Sequence, residues 1–410
     1  MRTMRSAISA CSVPAMLALA LRVAPAQNLE WTTKQPLPQP TGIHRVGTDT
    51  FRMTDTVAFP DLSRVVRPVT VQAWYPARGR PDSRVRYVED SQLIDAMISE
   101  RYQEVSETDI RSWAKLKLHA SRASHPAPPP GAIGWPTLIL SHGFGVSRVN
   151  YSSLALELAS RGYVVLSVDY PYGGFTVAPD GRVLQPGGDS LRRRLGSSAA
   201  LASVDSALAW DARHWAVEAA SALRRVAARR TDSRVLSLLA IDTTRVGILG
   251  HSLGGAAALQ ACRDDPIFRA CADMDGAPVG DVERDGVPKP FLVLLSQPAP
   301  SAIPPKDSAE RVHREQFARM GRERDSTWEA ISSHSARVPS FIVKLQGTGH
   351  FSFSDAPFLM PSLLQGTGST LSPIRAHILV VSYLTAFFDR FLRDAQPRLL
   401  TRGLTTVPVR

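Results

Sequence analysis

The stretch Gly250-His251-Ser252-Leu253-Gly254 carries the sharpest chemical signal in the chain, a serine in the spacing G-x-S-x-G. A serine hydroxyl attacks a carbonyl only when a base takes its proton and when it is held clear of crowding neighbours. The context suits that task. Arg245-Val246-Gly247-Ile248-Leu249 before it reads as a short apolar strand, and Gly255 to Cys262 after it reads as a helix start rich in small residues. A sharp turn between strand and helix forces Ser252 into a strained backbone conformation. The flanking glycines let strand and helix approach closely. The hydroxyl then sits beside a helix N-terminus, whose unpaired N–H groups favour a developing negative charge. The alternative is a plain glycine-rich strand-to-helix turn with no chemistry.

The elements that would hold such a serine can be read along the chain. Residues 69–76 alternate in the manner of a strand, and 136–140, 163–169, 270–275, 291–295 and 341–345 are short apolar runs. Residues 89–121, 205–231, 306–335 and 374–393 have helical composition, and 151–161 has the pattern of an amphipathic helix. Residues 27–60 are polar and proline-rich, an extended lead-in. Apolar strands alternating with helices imply a mostly parallel sheet covered by helices on both faces. Together with the serine turn, this predicts an α/β class chain with the α/β-hydrolase fold and lid-like insertions. The expected boundaries are 1–26 for a signal peptide, 27–44 for the lead-in and 45–395 for the hydrolase domain. Insertions are expected at about 176–215 and 299–335, with a C-terminal tail at 396–410.

In that fold an acid and then a histidine follow the nucleophile in the chain. Four histidines do so: His313, His334, His350 and His377. His350 lies just past the apolar run 341–345 in Gly347-Thr348-Gly349-His350-Phe351, where glycines let a loop turn back over the sheet edge, and it is the predicted base. His313 and His334 fall in a charged segment and His377 inside a helix. The run 291–295 ends without a carboxylate, whereas Ala272-Asp273-Met274-Asp275-Gly276 ends with two. Asp275, nearer the strand end and followed by glycine, is the predicted acid. Asp273 points to the same face and reads as a buried structural acid. The expected oxyanion donors are the backbone N–H groups of Leu253 and of Phe144, the latter in Ser141-His142-Gly143-Phe144-Gly145. His142 and His251 read as struts for these two loops.

Composition narrows the remaining classes. The chain has 410 residues, 44% hydrophobic and 21% charged, which is ordinary globular composition. Arg2 and Arg5, the apolar core 13–21 and Ala24-Pro25-Ala26 have the layout of a cleaved export signal. No later run is long enough to cross a bilayer. The formal charge of +11 is spread along the chain, with a triple only at Arg192-Arg193-Arg194, and no nucleic-acid motif accompanies it. It reads as a solvated surface open to peripheral contact with anionic membrane or envelope polymers. Cys262 and Cys271 could close a short loop after export. No metal-ligand spacing such as H-E-x-x-H is present, so neither metal nor cofactor is expected.

Leu140-Ser-His-Gly-Phe144 with Tyr151, the turn Gly250 to Gly255, Met274-Asp275-Gly276 and Gly349-His350-Phe351 resemble one family. It is that of the plasma-type platelet-activating factor acetylhydrolases and their bacterial relatives. The resemblance runs in order over roughly 45–395. It implies a metal-free serine esterase or lipase for small-molecule or lipid esters, including short acyl chains of phospholipids. It also implies that the acid lies on the strand after the serine turn, again Asp275, and that Val46-Gly47 and the strand 69–76 belong to an N-terminal sheet. The stretches 176–215 and 299–335 match nothing in the family. Tyr151, Phe351 and Phe353 would narrow an acyl pocket, so acyl groups of about two to six carbons are expected to outrun longer ones. The rival readings are acyl transfer or polyester hydrolysis on the same residues, and a non-catalytic envelope binding protein on the same fold.

Overall fold

A computed structural model describes residues 36–57, 65–79, 84–100, 102, 105–131, 133–187, 204–231, 233–298, 308–361, 369–401 and 403–407. The predicted signal peptide lies outside them. In chain order the strands and helices are β1 (Arg45–Val57), β2 (Val65–Ala77), β3 (Arg84–Arg86), α1 (Ser91–Ser99), α2 (Glu107–Lys115), β4 (Lys117–Arg122), β5 (Trp135–Ser141), α3 (Ser152–Ser160), β6 (Val164–Asp169), β7 (Thr176–Val177) and β8 (Val183–Leu184). They continue with α4 (Val204–Ala227), α5 (Arg234–Leu238), β9 (Ile241–His251), α6 (Leu253–Asp264), β10 (Ala270–Met274), α7 (Gly280–Asp285), β11 (Phe291–Gln297), α8 (Ser308–His334), β12 (Ser340–Gln346), α9 (Ala356–Leu359), α10 (Pro373–Leu392) and β13 (Gly403–Val407).

Eleven strands form one sheet in the order β13-β12-β11-β10-β9-β5-β6-β2-β1-β4-β3. From β13 to β6 every pairing is parallel, and β2 then pairs antiparallel with both β6 and β1. The central strands bury both faces. Leu138 and Leu140 of β5 pack on one side with α1, α2, α3 and α10, while Ile139 packs on the other with α4 and α6. That two-sided burial is why these strands read as continuous apolar runs.

Five elements differ from the reading above. Arg45–Val57 is a thirteen-residue strand, not an extended lead-in. It pairs with β2 along its whole length, and its threonines supply the β-branched side chains that a half-buried strand favours. Lys117–Arg122, placed in a helical stretch, pairs with β1 as a strand. Ser152–Ser160 is buried on every side rather than amphipathic. Residues just before β1 cross over it, with Thr41 N–H donating to Glu157 at 2.7 Å and His44 N–H to Ser160 O at 2.9 Å. The tail is not outside the domain, because Gly403–Val407 extends the sheet beside β12 and pairs its outer edge. The second insertion is not simply a lid. It carries α8, whose Trp328 and Ile331 are buried in the core.

Candidate active site

The serine turn forms because β9 runs straight into α6. Ser252 has φ 56° and ψ −125°, a conformation rare for a residue with a side chain. Its N–H donates to Met274 O at 2.9 Å, which ties the turn to the end of β10. Glycine is required on both flanks. A Cβ at Gly250 would lie 2.1 Å from Gly254 O, and one at Gly254 would lie 2.3 Å from His142 O. The second contact presses the start of α6 against the loop after β5.

Asp275 stands one residue past β10 with φ 56°, which turns its side chain out of the strand alternation. Asp275 Oδ2 accepts from His350 Nδ1 at 2.8 Å. Ser296, at the end of β11, adds its N–H to Oδ1 at 2.7 Å and its hydroxyl to Oδ2 at 2.8 Å. Arg324 of α8 donates to Oδ1 at 3.1 Å. Burial pushes this carboxyl up, but the His350 hydrogen bond and charge, Arg324 and the Ser296 amide together bring its pKa down to about 2. Asp273 is a different acid. It is fully buried, accepts from Gly276 N–H at 2.7 Å, and burial raises its pKa well above the usual carboxylate range.

His350 opens a short 3₁₀ turn after β12 and is half-exposed at the ring. With Nδ1 donating to Asp275, its Nε2 is left as the basic nitrogen. Ser252 and His350 line one cavity of about 160 Å³, together with Tyr102, Val146, Phe351 and Met360. Among the described residues no hydrogen bond joins Ser252 Oγ to His350. Such contacts commonly tighten only when substrate is bound.

The loop after β5 disposes its amides selectively. Gly143 N–H donates to Tyr151 Oη at 3.0 Å, and Gly145 N–H to Gly173 O at 2.8 Å. Phe144 N–H, between them, has no partner among the described residues. Leu253 N–H opens α6 and is one of the amides that a helix cannot pair internally. His142 donates from Nδ1 to Gly143 O at 2.7 Å and accepts Tyr170 N–H at Nε2, at 3.1 Å. His251 accepts from Tyr151 Oη at Nδ1, at 2.7 Å, and donates from Nε2 to His350 O at 2.9 Å. Burial and the nearby His350 charge lower its pKa to about 3. Among the described residues no group of three His, Cys, Asp or Glu side chains is arranged to hold a metal ion.

A sequence model of the alpha/beta hydrolase family matches residues 138–408, well over half of the chain. The chain belongs to that family. A second match, to platelet-activating factor acetylhydrolase, isoform II, covers residues 32–171 of this α/β-hydrolase. Similar proteins include a platelet-activating factor acetylhydrolase of Bos taurus, 28% identical over 179 residues. That match takes in 40% of this chain and 40% of the bovine protein, so the chain spans about two fifths of the relative's length. A probable 1-alkyl-2-acetylglycerophosphocholine esterase of Arthroderma benhamiae is 24% identical over 62% of this chain and 64% of its own. Among solved structures, a ferulic acid esterase from Streptomyces cinnamoneus superposes with a TM-score of 0.66 at 25% identity, over 90% of this chain and 96% of that one.

Within this α/β-hydrolase, Ser252, Asp275, His350, Phe144 and Leu253 come together at one end of the sheet. His334 is exposed at the end of α8, and His377 sits edge-on to Phe358; neither lines the cavity. The His313 side chain lies outside the described residues. Tyr151 and Phe351 line the cavity, but Phe353 does not; it stacks behind His251 at 5.9 Å. Sequence reasoning missed Ser296 and Arg324 on Asp275. Ser296 had a signal, since it ends the strand beside β10. Arg324 had none. Cys262 and Cys271 are joined in a disulfide with Cα atoms 6.0 Å apart. No helix among the described residues is long and apolar enough to cross a membrane.

Proposed function

We propose that this chain is an exported serine hydrolase of short acyl esters, with Ser252 as nucleophile, His350 as base and Asp275 as the acid that orients it. The observation that carries the reading is the His350 Nδ1–Asp275 Oδ2 hydrogen bond beside a serine held in a strained strand-to-helix turn. His350 Nε2 takes the Ser252 proton as the oxygen attacks the ester carbonyl. The N–H groups of Phe144 and Leu253 hold the oxyanion. The alcohol leaves with the proton from His350, and water releases the acyl group from Ser252 by the same steps.

The cavity size argues for a small acyl group. A dry apolar cavity of about 150 Å³ holds a molecule the size of benzene, and the cavity beside Ser252 is of that order, about 160 Å³. The kinship with acetyl-ester hydrolases of phospholipids points the same way, and the formal charge of +11 suits approach to an anionic lipid surface. The export signal predicted at residues 1–26 and the Cys262–Cys271 disulfide support an oxidising compartment.

The test is kcat/KM for p-nitrophenyl acetate, butyrate and palmitate, in the wild type and in Ser252→Ala. The expected order is acetate or butyrate well above palmitate, with a loss of about 10³-fold or more in the variant. A preference for palmitate would replace the short-acyl reading with an open lipase groove. Full turnover in Ser252→Ala would remove the nucleophile.

A further inference from the structure

Arg324 reaches Asp275 from an element that the nucleophile, base and oxyanion loops do not share. Its guanidinium donates to Asp275 Oδ1 at 3.1 Å and to Ser296 O at 3.2 Å. It therefore bridges the carboxylate and the strand end whose N–H and hydroxyl already grip that carboxylate. Its position is fixed by packing. Trp328 and Ile331, four and seven residues further along the same helical face, are buried in the core. The next residue, Asp325, pairs with Lys344 of β12 at 2.5 Å. No other cation is hydrogen-bonded to Asp275 among the described residues.

We propose that Arg324 is a positioning residue of this site, which fixes the Asp275 carboxylate and offsets part of its charge, and so sets the lowest pH at which His350 works as a base. The proposal rests on the reading of Ser252, His350 and Asp275 given above. A bare carboxylate beside an imidazole favours the protonated ring, whereas a cation behind the carboxylate disfavours it. The other titratable groups around the pair are His251, Asp273, Tyr151 and, five residues after His350, Asp355, whose carboxyl burial raises to about 7. His251 on β9, with its ring centroid 4.5 Å from that of His350, is held neutral by burial, its pKa lowered to about 3. Asp273 on β10 has its carboxyl held well above the ordinary range by burial. Tyr151, bonded to His251, is raised far above its ordinary value by burial. Arg324 is thus the fixed charge against which the His350–Asp275 pair is balanced.

The experiment compares the full chain with Arg324→Gln and Arg324→Lys. The readouts are the pH profile of kcat/KM for p-nitrophenyl acetate and an NMR titration of the His350 imidazole in a Ser252→Ala background. In R324Q the acid limb and the imidazole titration should both move up by about half to one pH unit, a range set by a partly screened charge. R324K, which restores the cation without the fork, should return most of that shift. If both readouts stay in place while activity falls evenly at all pH values, Arg324 is only a strut and the proposal is overturned. Should R324Q fail to fold by circular dichroism, Arg324→Met, which keeps most of the aliphatic stem, takes its place under the same criteria. Full hydrolysis in Ser252→Ala alone would sink the catalytic reading, yet the imidazole titration would still decide the role of Arg324.

Discussion

Tyr151 Oη donates to His251 Nδ1 at 2.7 Å, and this one bond links the loop that carries Phe144 to the loop that carries His350. On one side Gly143 N–H donates to the same oxygen; on the other His251 Nε2 donates to His350 O. Phe144 and His350, the proposed oxyanion donor and base, are therefore joined through a single chain of hydrogen bonds. Tyr151→Phe keeps the buried ring and breaks the chain. Its kcat for p-nitrophenyl acetate should fall about tenfold or more, with KM changed much less, because positioning in the transition state is lost and not substrate binding. Unchanged kcat would show that the two loops are held independently.

The two aspartates at the end of β10 should behave as different acids. Asp275→Asn leaves His350 with the wrong partner for Nδ1–H and should cost about 10⁴-fold in kcat. Asp273→Asn should stay within about tenfold of wild type, since the hydrogen bond its carboxylate accepts comes from Gly276, which does not line the cavity. The reverse ranking in steady-state kinetics would exchange their roles.

Asp273 also predicts a pH dependence of stability. Burial raises its folded-state pKa well above the ordinary carboxylate range. Between the unfolded and folded values the native state holds a proton that the unfolded chain has released. The stability it contributes is thus present below about pH 4 and is lost as pH rises toward the folded value. Asparagine cannot ionise. The Tm of Asp273→Asn minus that of wild type should therefore increase from pH 4 to pH 7. A difference independent of pH in thermal melts would contradict the shift.

Ser252 should be a site where function opposes stability. Its φ of 56° with ψ −125° suits glycine better than any residue with a side chain. Ser252→Gly should lose activity while gaining about 1 kcal/mol, the lower end of what such backbone strain costs. Ser252→Ala, which keeps the Cβ, should show no such gain. Equal Tm values for the two variants would mean that the turn is not strained.

The Cys262–Cys271 disulfide spans a separation of nine residues and joins α6 to β10. Replacing both cysteines by alanine should lower stability by about 2–3 kcal/mol on the loop-entropy scale. Esterase activity at room temperature should survive, because neither cysteine lines the cavity. An unshifted melt would show that the bridge adds nothing to the fold.

The serine turn and the histidine loop were legible because each is a local pattern of glycines around one candidate residue. Period-two alternation could not separate Asp273 from Asp275, which share a face in an ideal strand. The distinction comes from the backbone beyond the last paired residue. Asp275 turns at φ 56° toward His350, while the Asp273 carboxyl fills the space left by Gly255, where a Cβ would sit 2.0 Å from Asp273 Oδ1. Strand β1 hid behind its polar residues, since composition says little about a strand whose pairing is supplied by a distant partner. The burial of α3 depended on residues 36–44 folding back across it. Arg324 could not be read at all, because one arginine in a charged helix carries no sign of a partner 49 positions away.

The bridge from α6 to β10 also makes the site chemically traceable. Cleavage after arginine releases residues 246–263, which contain Ser252 and Cys262, and residues 270–284, which contain Cys271, Asp273 and Asp275. Without reduction these two peptides travel as one cross-linked ion. A covalent label on Ser252, a deuterium or isotope mark near Asp275 and the redox state of the cysteines would then all be read from a single mass.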